Sequence, residues 1–327
     1  MYKLKQVPED FIVEERMDLK VIPEGPYLIY QLIKKDENTD HAAELIANAL
    51  KIKRKDIGYA GLKDKAAITT QYISIKYANK HRINQLSFHQ CHLSFMGYSK
   101  EPISLGDHKG NQFVVVVRNL DKNAKIKRLK KYINFFGEQR FSIMNAKIGK
   151  SIIKKNFKEA IEAIMSTNPR YSDSINESLG ESPSGYVNAL RRIPFKILRL
   201  YVSSYQSLLW NKTAEQLTTS SKNLEIPLPG FSTEWKDKKI EKIQKDLLGE
   251  EQLKLRDFVC REIPELSIEG QTRALLTNVN SLKIGKKELD ELNEGKWKIK
   301  ISFTLNKGCY ATVFIEQLLG ERERDIF

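Results

Sequence analysis

Apolar and polar residues alternate near both ends of this chain, while the middle steps by three and four. Residues 9–15 (EDFIVEE) alternate across Phe11 and Val13, as a strand with one buried face does. The turn signal PEGP at 23–26 leads into a second strand over 27–33. Asn38 or Thr39 then caps a helix reaching about Leu50, with Leu45, Ile46, Ala49 and Leu50 on one face. Strand chemistry returns at 71–76 (QYISIK), and FVVVVR at 113–118 is apolar enough for burial on both faces. Residues 125–135 read as a basic amphipathic helix, and NFFGEQRF at 134–141 as a turn carrying polar side chains. Ile299, Ile301, Phe303 and Leu305 alternate again, and Gly308 offers a turn before the apolar run 311–319.

From about 150 to 270 the helical period dominates, as Phe195, Leu198, Val202, Tyr205 and Leu209 show. A loop is expected at 172–184, which is rich in Ser, Asn and Gly. Strands and helices mix without a regular βαβ period, which predicts an α+β fold with a mixed, largely antiparallel sheet. The expected domains are a sheet-based one of residues 1–149 plus 270–327 and an inserted, mostly helical α/β one of residues 150–269. No internal repeat or low-complexity tract interrupts either.

A length of 327 residues suits about two domains, and 41% hydrophobic with 29% charged residues suits a folded chain. Lys and Arg outnumber Asp and Glu by 55 to 41. A polyanionic partner explains that surplus, because cations that neutralise phosphates release counterions. A lysine-rich solvated surface gives the same count, so charge alone names no function. No apolar run approaches the roughly 20 residues of a membrane helix. The opening MYKLKQVPEDFIVEE lacks the apolar core of a secretory signal. Three widely spaced cysteines encode neither a disulfide framework nor a zinc site. The expectation is a cytoplasmic chain without a membrane, monomeric by default since no heptads appear.

Standard catalytic sets are missing: no GxGxxG after a strand, no GxxxxGK[ST], no HExxH and no GxSxG. His89, Cys91 and His92 cluster without the second ligand pair a structural zinc wants, so no metal is expected. What remains is GYAGLKDKAAITTQ at 58–71, a carboxylate between lysines in a glycine-bearing loop. By itself such an aspartate reads as a turn former.

The whole phrase changes that reading. GLKDKAAITTQ resembles the signature GxKDxxAxTxQ of TruD-type tRNA pseudouridine synthases, through Gly61, Lys63, Asp64, Ala67, Thr69 and Gln71. PEDFIVEE at 8–15 is similar to that family's N-terminal strand motif, and SLGDHKGNQFVVVVR at 104–118 to its LGxxxGNxFxxxxR. NFFGEQRF at 134–141 resembles its N[YF]FGxQRF. YQSLLWN at 205–211, LPG at 228–230 and KGCYATV at 307–313 follow in the family's order. One departure is Asn306, which stands where the family's LPxGxxAT has proline. Another is the inserted domain, which aligns only loosely.

The resemblance implies a pseudouridine-synthase sheet core and isomerisation of a tRNA uridine, usually uridine 13, with no cofactor or metal. It gives Asp64 the role of catalytic nucleophile and Lys5 that of its neighbouring cation. It implies substrate-contacting aromatics at Phe11 and Tyr310, a polar contact at Asn134, and Phe136 near the base. Glu14 and Arg140 would hold the site in shape. For the RNA backbone the residues themselves offer KIKRK at 51–55, with Lys53 and Arg54, and the basic stretch 125–131. Lys63 and Lys65 are read either as partners of Asp64 or as phosphate contacts. Two alternatives stand beside the enzyme. One is an RNA-binding or RNA-folding module without turnover; the other is a methyltransferase, which would ask for a glycine-rich cofactor loop that is not found.

Overall fold

The computed structural model describes residues 1–142, 144–217 and 224–320, apart from the side chain of Gln139. The chain divides into two compact units, one of Met1–Lys130 with the stretch from Asn278 onward, the other Lys131–Thr277. Before the second unit come β1 (Phe11–Arg16), β2 (Tyr27–Lys35), α1 (Thr39–Leu50), β3 (Ile57–Tyr59), β4 (Ile68–Lys76), α2 (Lys80–Asn84), β5 (Cys91–Ser99) and β6 (Gly110–Leu120). The second unit runs from β7 (Lys131–Ile133) through α3 (Asn145–Ile153), α4 (Phe157–Thr167), α5 (Ser172–Glu181), α6 (Tyr186–Arg191) and α7 (Phe195–Glu215). It continues with β8 (Glu225–Leu228), α8 (Lys238–Glu250) and β9 (Gln271–Ala274). The chain returns through β10 (Leu276–Asn278) to β11 (Asn280–Leu289), β12 (Trp297–Asn306) and α9 (Ala311–Leu319).

The first unit is built on one sheet, ordered β11-β12-β6-β1-β4-β2-β5 with β3 paired to β4. Among these pairings only β1 with β4 is parallel, so the fold is α+β with a mostly antiparallel sheet. Alternation along β2 and β4 sends Leu28, Tyr30, Leu32, Ile73 and Ile75 to one face, where α1 covers them. That helix starts where the Asn38 side chain accepts the amide of His41, a cap worth about 1 kcal/mol. It stops where Lys51 turns left-handed. Its buried stripe is Ala42, Ala43, Ile46, Ala47 and Leu50, whereas Leu45 and Ala49 point outward. The small alanines let the helix lie close to the sheet, which a stripe chosen by side-chain size overlooks. On β6, Phe113, Val115 and Val117 are buried and Val114 and Val116 only half so, an alternation where burial on both faces was expected. Gly110 pairs with Asn306 at the far end of that ladder, and a Cβ there would meet the Leu305 carbonyl oxygen at 2.2 Å.

The expected helix at 125–135 does not form. Its backbone bonds go to distant chain instead: Lys127 N–H to Leu318, and Asn134 N–H to Leu275. The expected loop at 172–184 is helical through Glu181, because Ile175 and Ser178 bury one side of α5. The second unit also begins earlier than the helical period does. Asn134 and Phe136, read as part of the sheet domain, pack within it: Phe136 N–H donates to Asn211 Oδ1 of α7.

Candidate active site

The loop between β3 and β4 is held by residues of the GLKDKAAITTQ phrase itself. Gln71, fully buried on β4, accepts the Thr39 hydroxyl at 2.9 Å and donates to the Gly61 carbonyl at 3.3 Å. The Thr39 oxygen in turn accepts the Lys63 amide at 3.0 Å. His108, from the LGDHKGN segment, bonds the Ala60 carbonyl through Nδ1 at 3.1 Å. Burial, helped by the Lys63 charge, keeps its imidazole below the usual histidine range. These ties fix the backbone on both sides of Asp64.

Asp64 Oδ2 accepts a hydrogen bond from Lys5 Nζ at 2.7 Å. The lysine side chain is 15% exposed and the aspartate 32%, so one member is nearly dry and the other is reachable. Lys5 holds a left-handed backbone, φ 56°, which costs a non-glycine residue of order 1 kcal/mol or more. The surrounding structure enforces it: Lys3 exchanges backbone hydrogen bonds with Arg118 at 2.9 and 3.0 Å, anchoring the strand just before Lys5. Arg118 is itself locked to Asp10 at 2.8 Å and to Asp290 at 2.8 Å. Burial opposes charge on Asp290. The Asn119 amide, Asn293 and other donors prevail and lower it to about 2. Among the described residues, Asp64 Oδ1 has no hydrogen-bond partner.

In the second unit, Asn134 is nearly buried. Its backbone carbonyl and its Oδ1 accept two hydrogen bonds from Arg273, at 2.7 and 2.6 Å. The same guanidinium lies 4.2 Å from the centroid of the Phe136 ring, which stands edge-on to Trp210.

These motifs and their geometry prompt comparison with known proteins. A family model described as tRNA pseudouridine synthase D (TruD) matches residues 2–177 and 212–318. The chain belongs to the TruD family. A Methanocaldococcus jannaschii relative named "Probable tRNA pseudouridine synthase D 2" is 33% identical, over 96% of this chain and 91% of its own. An Aquifex aeolicus tRNA pseudouridine synthase D is 29% identical over 97% of each chain. A crystal structure from Methanosarcina mazei, described as "Putative tRNA pseudouridine synthase D (TruD)", superposes with a TM-score of 0.74. It is 26% identical, covering 97% of this chain and 93% of the other.

The TruD residues expected from sequence fall into distinct groups. Lys5, Phe11 and Asp64 lie together, with the Lys5 ammonium 4.2 Å from the Phe11 ring centroid. Phe11 is only 1% exposed and meets Phe113 edge-on, so its ring packs in the core beneath the ammonium. Tyr310, half-exposed, is the residue that begins α9, its carbonyl accepting the Phe314 amide. The turn before it closes without the family's proline, through Gly308 at φ 78°.

The basic residues divide as well. Lys53 and Lys65 are exposed, whereas Arg54 is drawn to Asp40 at 2.9 Å and to the Ile57 carbonyl. Lys63 departs from the expected phosphate contact: its ammonium is buried against Glu15, whose side chain is fully enclosed. Glu15 also accepts the Tyr72 amide, and Glu14, the residue expected to shape the site, faces outward. Sequence reasoning missed Lys34 altogether. Its fully buried ammonium donates to the carbonyls of Glu37 and Asp64, the latter at 2.8 Å. Burial pushes it down to about 8, against the pull of Asp64 and Glu37. Both misses carried a signal, for strand parity puts Glu15 beside Phe11 and Val13, and Lys34 beside Leu28, Tyr30 and Leu32.

Proposed function

We propose that this chain isomerises uridine to pseudouridine in tRNA, at uridine 13, with Asp64 as nucleophile and without a cofactor. The observation that carries this reading is the Lys5–Asp64 pair: one carboxylate oxygen is held by a nearly dry ammonium, and the other is left free in a reachable loop. A carboxylate brought out of water favours its neutral form, and a cation at hydrogen-bond distance restores the ionised, nucleophilic one. The free oxygen bonds the sugar or the base as the C1′–N1 bond breaks. The base rotates, C1′ joins C5, the bond to Asp64 breaks to return the free carboxylate, the C5 proton departs and N1 gains one. Atoms and oxidation states balance, so the step calls for neither oxidant nor nucleotide. Asn134, Phe136 and Tyr310 are the substrate contacts this reading carries over, and Lys53 and Lys65 its exposed phosphate contacts. An everted uridine costs a few kcal/mol to unstack, which aromatic and polar contacts of this kind recover. The same reading gives a monomer working in the cytoplasm. Three free cysteines fit that compartment, and among the described residues no helix is long and apolar enough to cross a membrane.

The test is tritium release from tRNA carrying [5-³H]uridine. Wild type should release the label and Asp64→Ala should release none, while both bind the tRNA. Release by both proteins removes Asp64 from its role, and no release by wild type across several tRNAs removes the enzyme. Mapping the product by primer extension decides whether the modified position is 13.

A further inference from the structure

A cavity of about 700 Å³ opens within the second unit, every one of its lining residues lying between Phe136 and Arg273. Its size falls in the range of sites that enclose small ligands. Three arginines reach it, Arg140, Arg199 and Arg273, against one carboxylate, Glu269. Arg273 is committed, since its guanidinium serves Asn134 and lies over Phe136. Arg140 also stands over the Phe136 ring, 5.9 Å from its centroid, but its hydrogen-bonding capacity is not spent. Arg140 Nε is buried with no hydrogen-bond partner among the described residues, although a buried donor left unsatisfied costs about 1–3 kcal/mol. Arg199 is exposed on α7 and makes no ion pair there among the described residues. Phe231, 38% exposed, adds an aromatic surface to the wall.

Guanidinium groups recognise phosphate oxygens by paired hydrogen bonds, and an exposed ring offers a base its face. We propose that this cavity binds one nucleotide of the RNA substrate, its phosphate on Arg140 and Arg199 and its base against Phe231. The assignment to RNA rests on the reading above, which makes tRNA the substrate.

The experiment measures pseudouridine formation and tRNA binding at graded salt for wild type, Arg199→Ala, Phe231→Ala and Lys242→Ala. The last removes an exposed charge of the same unit outside the cavity. Arg199→Ala should raise KM for tRNA about five- to tenfold and flatten the salt slope by about 1, and Lys242→Ala should do neither. Phe231→Ala should weaken binding without changing the slope, as loss of stacking rather than charge does. Equal KM and slope for Arg199→Ala and Lys242→Ala overturn the proposal. So does uridine monophosphate binding, by titration calorimetry, that depends on Arg199 while tRNA binding does not, since the cavity then serves a free nucleotide. Absence of product from wild type is a different failure. It sinks the enzymatic reading, and the salt slopes still decide whether the cavity holds RNA.

Discussion

Around the Asp64 loop the buried ions are answered from within the first unit. Lys63 has Glu15, Lys34 has two carbonyls, and Arg118 has Asp10 and Asp290. In the cavity of the second unit Arg140 keeps an unanswered Nε and Arg199 stands alone among the described residues. Both regions are rich in charge, but of the cavity's guanidinium groups only that of Arg273 is hydrogen-bonded internally among the described residues, to Asn134. Paired charge costs desolvation and returns geometry, so it suits a loop that must present one carboxylate in one place. Unpaired charge holds its interaction for a ligand. The contrast separates residues whose loss should unfold the protein from residues whose loss should only loosen its grip.

The largest effect tests the closed side. Lys63→Ala strands Glu15, fully enclosed, without its cation, and should cost about 3–5 kcal/mol in denaturant unfolding. Arg199→Ala, on the open side, should stay within about 0.5 kcal/mol of wild type. If the two variants unfold alike, the division between committed and available charge is wrong.

Next comes the pair at the centre. Lys5→Met keeps the length of the side chain and removes the ammonium from Asp64 and from the Phe11 face. Loss of one charge-stabilising group of this kind should lower kcat by about 10²–10³-fold, with a smaller change in KM for tRNA. Because the variant also relieves a buried cation of its desolvation, its melting temperature should hold. A variant that melts early and regains activity on cooling would recast Lys5 as scaffolding.

How far the sequence foretold this arrangement depends on where each segment finds its partners. β1, β2, α1, β4 and β12 were legible because their period is local and their caps lie within a few residues. The loop at Asp64 was legible through a phrase whose residues bond one another, Gln71 to Gly61 being one case. Segment 125–135 carries a helical period, but its backbone is claimed by Leu318 and, at its far end, by Leu275, residues no local window contains. Lys63 was misplaced for a related reason. A lysine flanking a carboxylate looks solvent-bound until β1 brings a buried Glu15 beneath it. The cavity of the second unit draws its arginines from positions 140, 199 and 273, a set that no single motif unites.

The smallest effect is the most diagnostic, because activity and stability should move in opposite directions. Lys34 titrates at about 8 in the folded chain, below its ordinary 10.5. The unfolded chain therefore holds this proton more tightly, and between those two values it binds more protons than the native state. Stability from this residue rises with pH across that window, as the burden of a buried ammonium is lifted. The donors to the Glu37 and Asp64 carbonyls change over the same range, because a neutral amine holds them less firmly. At pH 9 most molecules have lost the ammonium, so kcat should fall several-fold from its value at pH 7. Lys34→Met should show low activity without that alkaline limb, and wild type should gain melting temperature relative to the variant from pH 8 to 10. A limb near pH 8 that persists in Lys34→Met would assign the titration to another group and remove Lys34 as the source of the pH dependence.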